Sequence, residues 1–125
     1  MKGYLPMTAD LFHVGHLNAI RQAKKKCDIL VIGLIDSPEY KETIIPWEER
    51  FEILMALPEV DAVVAQTSIT PELGLGIDIL FSGDGFEKEE VIEAQKRGVI
   101  LEDIDYYQAQ STTKIKEKIW KKKKQ

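Results

Sequence analysis

Scarcity defines this sequence before any motif does. One cysteine, Cys27, stands among 125 residues, which excludes an internal disulfide and a thiolate-bound zinc cluster. Only two histidines are present, His13 and His16, so imidazole chemistry can come from one place only. No apolar run approaches the roughly 18 residues of a membrane span, and the N-terminus lacks a charged-then-apolar leader. Internal repeats and low-complexity linkers are missing as well. Basic charge is in deficit: 17 Lys and Arg against 21 Asp and Glu give a net charge of −4. A pI near 5.2 then argues against nucleic acid as a partner of the whole domain. These absences lead to the expectation of a soluble cytoplasmic protein with no membrane insertion.

What is present is ordinary globular composition, 44% apolar and 30% charged. A chain of this length buries enough surface for one core without staples. Apolar residues alternate between two patterns. Gly3 to Met7, Asp28 to Ile35, Val60 to Ala65, Ile77 to Phe81 and Val99 to Ile104 read as strands, the second an almost continuous apolar run suited to a strand covered on both faces. His13 to Lys26 carries Val14, Leu17, Ala19, Ile20 and Ala23 at helical spacing. Pro46 opens a second helix, with Glu48 and Glu49 near its positive end. Glu87 to Arg97 forms a third, closed by Gly98, and Ser111 caps a fourth that runs through Ile115, Ile119 and Trp120. Pro71 to Gly76 is short and without a clear pattern. Trp47, Phe51 and Trp120 are expected in the core, with an interface as the alternative. The last twelve residues hold seven lysines, a solvated helix face and tail or a contact for an anionic partner.

Five strands alternating with helices predict an α/β fold: a doubly wound, mostly parallel five-stranded sheet with helices on both faces. Ligands in such folds sit beyond the carboxyl ends of the strands, where strand order reverses. The first loop there reads Thr8-Ala9-Asp10-Leu11-Phe12-His13-Val14-Gly15-His16. The two imidazoles lie three residues apart, on one helix face. Gly15 between them lets a backbone or ligand approach closely. A helix start with exposed amides already attracts anions. Structural histidines and a zinc pair are the competing readings, and the pair has no further ligands at zinc spacing. At the other end of the chain Ser111-Thr112-Thr113-Lys114 opens the last helix, offering hydroxyls, amides and a cation, as a triphosphate requires. An N-cap followed by a surface lysine is the plainer alternative.

With His13-Val14-Gly15-His16 and Ser111-Thr112-Thr113-Lys114-Ile115 in this order, the chain resembles the small cytidylyltransferase-like nucleotidyltransferases over nearly its whole length. The Ser111 to Lys118 stretch is similar to glycerol-3-phosphate cytidylyltransferases. Ile45 to Val64 and Ser82 to Glu90 are similar to heptose-phosphate adenylyltransferases and archaeal FAD synthetases. The resemblance implies a single Rossmann-like domain over 1–120, a basic tail at 121–125, and homodimers. It implies transfer of a nucleotidyl group, most readily CMP from CTP with ATP as the alternative, to a small phosphorylated acceptor such as a polyol or sugar phosphate.

The same resemblance assigns roles to residues. Thr8, Ala9 and Asp10 line the α-phosphate site, and His13 and His16, flanking Gly15, stabilise the transferring group. Lys41 reaches the phosphates from a loop, and Arg50 does so from the following helix. Gly83 and Asp84 lie beside the base, and Ser111, Thr112 and Thr113 hold the triphosphate together with Mg2+. The chain itself is not expected to supply a metal site. Local chemistry leaves plainer roles open for three of these: a solvated Lys41, an Arg50 paired with Glu48 or Glu49, and an Asp10 that caps the helix. The sequence also departs from the family pattern. Met7 and Ala9 replace a glycine and a phenylalanine, which would narrow the phosphate approach or reshape the pocket. Tyr106 stands where the glycerol-3-phosphate enzymes have an arginine, and Gly85-Phe86 replaces an acid and a tryptophan. A non-catalytic nucleotide-binding module is the alternative these departures allow.

Overall fold

The structure is a computed structural model that describes residues 1–36, 42–66, 76–105 and 112–124, with the side chains of 112–114, 123 and 124 outside the described set. The chain runs β1 (Lys2–Met7), α1 (Val14–Lys24), β2 (Ile29–Ile35), α2 (Trp47–Met55), β3 (Ala62–Gln66), β4 (Ile79–Ser82), α3 (Lys88–Arg97), β5 (Ile100–Asp103) and α4 (Thr112–Lys124). The strands form one sheet in the order β3-β2-β1-β4-β5, and all four pairings are parallel. Each βαβ step therefore needs a crossover, and the hydrophobic patterning decides which face it covers. Leu5 and Met7 of β1, Leu30, Ile32 and Leu34 of β2, and Ile79 and Phe81 of β4 turn to one face and meet Ala19, Ile20 and Ala23 of α1 and Leu54 of α2. Tyr4, Val31 and Leu80 turn to the other and meet Ala94 of α3. Helices thus lie on both faces, as the alternating pattern predicts.

β1 starts one residue earlier than the pattern places it, and the other four strands start one or two residues later. For β2, β3 and β4 the reason is that an aspartate immediately precedes each strand and binds the neighbouring chain from the side. The Asp61 carboxylate accepts the Leu30 amide at 2.7 Å and the Lys24 ammonium at 2.7 Å. Asp78 accepts the Lys2 amide at 2.7 Å, and Asp28 pairs with the N-terminal ammonium. These contacts fasten the end of the sheet away from the ligand edge.

Helix ends match their local chemistry. Pro46 stands at the N-cap of α2, with Glu48 and Glu49 in the first turn. Glu87 and Glu90 form a capping box on α3, and Gly98 closes it in the left-handed region at φ 69°. Trp47 and Phe51 pack against the core, as expected. Trp120 does not: it is 59% exposed and Ile119 is 49% exposed. The helical spacing was real, but it leaves these two side chains about half exposed or more. The helix also continues to Lys124, where the sequence suggested a tail from 121. The expected short element at 71–76 lies outside the described residues except for Gly76.

One close approach limits the second face. Tyr4 crosses from β1 over Gly33 of β2, and its hydroxyl donates to Gln66 Oε1 at 2.7 Å. A Cβ on Gly33 would stand 1.9 Å from Tyr4 Oη and 2.6 Å from Gln66 Oε1. Gly33→Ala is expected to lower stability by about 1–3 kcal/mol through this overpacking, read as a reduced urea midpoint; an unchanged midpoint would contradict the packing described.

Candidate functional site

Strand order turns back between β1 and β4, so the loops after these two strands flank the crevice that parallel sheets use for ligands. The loop after β1 is unusual in its backbone. Ala9 and Leu11 hold φ of 54° and 51°, a left-handed conformation that costs a non-glycine residue about 1–2 kcal/mol. Those two reversals turn the chain sharply into α1. The α1 N-cap is His13, in an extended conformation, and its Nδ1 accepts the Gly15 amide at 3.0 Å. His16 reaches back one turn, and its Nδ1 accepts the His13 amide at 3.2 Å. The two imidazoles thus form a reciprocal capping box.

This bonding assigns the tautomers. A ring nitrogen that accepts an N–H cannot carry a proton, so both neutral rings hold theirs on Nε2. The rings lie against each other at 3.9 Å between centroids, and Phe12 stacks on His16 at 5.4 Å. The sequence pointed to bare amides of the helix start as anion donors. The structure engages the Gly15 amide with His13, so the donor character of the helix start passes to the Nε2–H groups. The first turn of α1 carries no acidic side chain to compete for an anion.

Two other expected contacts have a different place. Asp10 does not cap α1. It is 1% exposed, and its two oxygens accept the amides of Ile45 and Ile44, each at 3.0 Å. Burial pushes its pKa up, but the Ile45 and Ile44 amides, Lys116 and Arg50 outweigh burial and hold it below the usual carboxylate range. Arg50 does not pair with Glu48 or Glu49. Its guanidinium is 1% exposed and donates to the carbonyls of Ile45 (2.9 Å), Thr8 (2.7 Å), Ile35 (2.7 Å) and Asp36 (2.8 Å). It gathers the carboxyl ends of β1 and β2 and the approach to α2. Four donors used on main chain make it a structural tie, with burial lowering its pKa before the nearby carboxylates raise it.

The remaining sequence-based residues divide as follows. Gly15 is buried under the His pair. Met7 and Ala9, at 5% and 2% exposure, turn into the core. Gly83 and Asp84 form the turn after β4, where Ser82 Oγ donates to the Gly85 carbonyl at 2.6 Å and accepts the Asp84 amide at 3.2 Å. This turn emerges beside the β1 loop because β4 pairs with β1. Lys41 and Ser111 lie outside the described residues, as do the side chains of Thr112 and Thr113. The backbone of α4 begins at Thr112. Lys116, one turn on, stands 3.6 Å from Asp10 Oδ2, which brings this helix to the first loop. The sequence reading missed Lys116, because a lysine among seven carries no local signal. Among the described residues no group of three acidic, His or Cys side chains could hold a metal ion, and no helix is long and apolar enough to cross a membrane.

Comparison with known proteins agrees with this architecture. The cytidylyltransferase-like family model matches residues 4–119. The chain is 38% identical over 124 residues to the bifunctional protein HldE of Citrifermentans bemidjiense, covering 88% of this chain and 25% of that one. It is 31% identical over 121 residues to a protein of Encephalitozoon cuniculi named a probable ethanolamine-phosphate cytidylyltransferase, covering 85% of this chain and 37% of that one. The chain therefore spans a quarter to little more than a third of the length of these relatives. The crystal structure of the lipopolysaccharide core biosynthesis protein from Thermoplasma volcanium superposes with a TM-score of 0.71 at 21% identity, over 86% of this chain and 98% of that one, a likeness of fold.

Two outcomes follow from the geometry. Arg50→Met strands several inward carbonyls and is expected to cost about 3 kcal/mol or more in denaturant unfolding; a stable variant with weakened nucleotide affinity would instead make Arg50 a ligand. Burial lowers the His13 pKa, and the bond accepted from Gly15 acts in the same sense. Stability linked to neutral His13 is then full above the unfolded value of about 6.5 and is lost as pH falls through the lower folded value. An NMR titration of the His13 ring should have its midpoint below that of free imidazole side chains; a midpoint above it would contradict the cap.

Proposed function

Because the chain belongs to the cytidylyltransferase-like family, we propose that it transfers a nucleotidyl group from a nucleoside triphosphate to a small phosphorylated acceptor. The observation that carries this reading is the pair of imidazoles whose Nδ1 atoms are tied to main chain at the start of α1. Their Nε2–H groups are donors held in place before any substrate arrives. Prepositioned donors of this kind stabilise charge that develops on phosphoryl oxygens and need no reorganisation at the moment of reaction.

In the proposed reaction an acceptor phosphate oxygen attacks the α-phosphorus in line. The new P–O bond forms as the bond to the β-phosphate breaks, and pyrophosphate carries away the electron pair. The attacking phosphate is already largely dianionic near neutral pH, its second pKa being about 6. No general base and no covalent nucleophile are required. His13 and His16 donate to the α-phosphate oxygens, and Lys41 and the start of α4 offset the charge of the triphosphate. Mg2+ is proposed as the companion of the triphosphate. The one buried carboxylate of the loop, Asp10, has its oxygens on amides, so the described side chains form no cage for the ion.

CTP is the nucleotide that the Ser111 to Lys118 stretch favours, and the ethanolamine-phosphate relative adds a cytidylyltransferase name. ATP is the second reading, favoured by Tyr106 in place of an arginine and by the similarity of the middle of the chain to adenylylating enzymes. The inward packing of Met7 and Ala9 favours the catalytic reading over a non-catalytic nucleotide-binding module.

The test is pyrophosphate release with CTP and ATP separately against a panel of polyol, sugar and amino-alcohol phosphates. His13→Ala and His16→Ala are each expected to lower turnover by about two to three powers of ten. Near-normal turnover in both variants, or tight nucleotide binding with no product from any acceptor, would contradict the proposal.

A further inference from the structure

The described contacts of the last helix with the site converge on one carboxylate, and that carboxylate also governs the approach to α2. Asp10 is buried to 1% exposure and holds the main chain at residues 44 and 45 by two bonds of 3.0 Å. Those residues lie 34 and 35 positions away in sequence, so the carboxylate joins two separate loops at the ligand edge. A buried carboxylate is stable as an anion only when its charge is met. The Arg50 guanidinium is close, but its donors point at carbonyls. Among the described residues, the cation that reaches the carboxylate is Lys116, at 3.6 Å, and its own side chain is only 29% exposed. Such a pair is screened less than a surface pair. It also stands three residues before His13, where an uncompensated negative charge would repel any anion drawn to the imidazoles.

We infer that Lys116 is a positioning residue: its ammonium holds the Asp10 carboxylate closed on residues 44 and 45, and holds the first turns of α4 against the loop that carries His13. It acts through Asp10 and not by touching substrate. The part concerning nucleotides rests on the proposed function; the fastening of residues 44 and 45 does not. Lys118, exposed on the same helix, carries the same charge and lacks the contact, which makes it the control.

Lys116→Met, Lys116→Arg and Lys118→Met are compared with the unaltered chain in two measurements. Amide hydrogen exchange at Ile44 and Ile45 is expected to speed up by roughly fivefold or more in Lys116→Met through local opening. Dissociation constants for ATP and CTP with Mg2+, from calorimetry, are expected to rise by about tenfold in that variant. Lys116→Arg should restore both, and Lys118→Met should leave both near their original values. If Lys116→Met exchanges like Lys118→Met, the fastening role is overturned, whatever the nucleotide data show. If exchange quickens but affinity for the better-bound nucleotide is unchanged, the positioning role is overturned. If the unaltered chain binds neither nucleotide, the proposed function and the nucleotide half of this inference fall together, and exchange alone judges the fastening.

Discussion

Two main-chain amides at the start of α1 set the character of this protein. Each is accepted by the Nδ1 of an imidazole, His13 at Gly15 and His16 at His13. A helix start has four amides without intrahelical partners, and they are commonly capped by a hydroxyl or a carboxylate. Either cap would leave an acceptor or a negative charge at the phosphate edge. An imidazole cap does the opposite. It uses its acceptor nitrogen on main chain, and the neutral ring then carries its proton on the other nitrogen. The helix is capped, and in the proposed function the anion site is furnished, by the same two side chains, with their rings in tilted contact at 3.9 Å between centroids.

The rest of the molecule holds that unit in position. The all-parallel sheet brings the β1 and β4 loops together at the reversal of strand order. Two left-handed residues, Ala9 and Leu11, make the turn from β1 into α1 tight enough for His13 to cap it. Strain there persists because the neighbours over-determine it: Ala9 is packed in the core, and the Thr8 carbonyl is gripped by Arg50. Arg50 and Asp10 form a knot of opposite charges that bind main chain of opposite polarity, carbonyls by the guanidinium and amides by the carboxylate. Each is specified in geometry because its loss leaves several buried main-chain groups without a partner.

The sheet and its helices could be read from local pattern, because β2 is a continuous apolar run, Gly98 ends α3, and Pro46 with Glu48 and Glu49 starts α2. The His pair was legible for the same reason, since three-residue spacing around Gly15 is a local fact. Arg50 was not. Beside two glutamates it has the look of a surface residue, and only the docking of α2 under the ends of β1 and β2 brings it inside. Asp10 misled in the other direction: it stands where a cap is expected, yet its partners are 34 and 35 residues away. Trp120 follows apolar spacing with Ile115, but spacing does not say how far a side chain is covered, and this one is mostly exposed. Lys116 was hidden among like residues. In each case the deciding contact is long-range, and periodicity carries no information about it.

The central claim is that both imidazoles present Nε2–H to the same phosphate. Long-range proton–nitrogen correlation of the two rings, recorded on the labelled chain before and after adding CTP or ATP with Mg2+, tests it most directly. The account predicts that the Nε2 and Nε2–H resonances of His13 and His16 move together on binding while both Nδ1 atoms keep the shift of an unprotonated acceptor. Rings that ignore a bound nucleotide, or a proton found on either Nδ1, would contradict it.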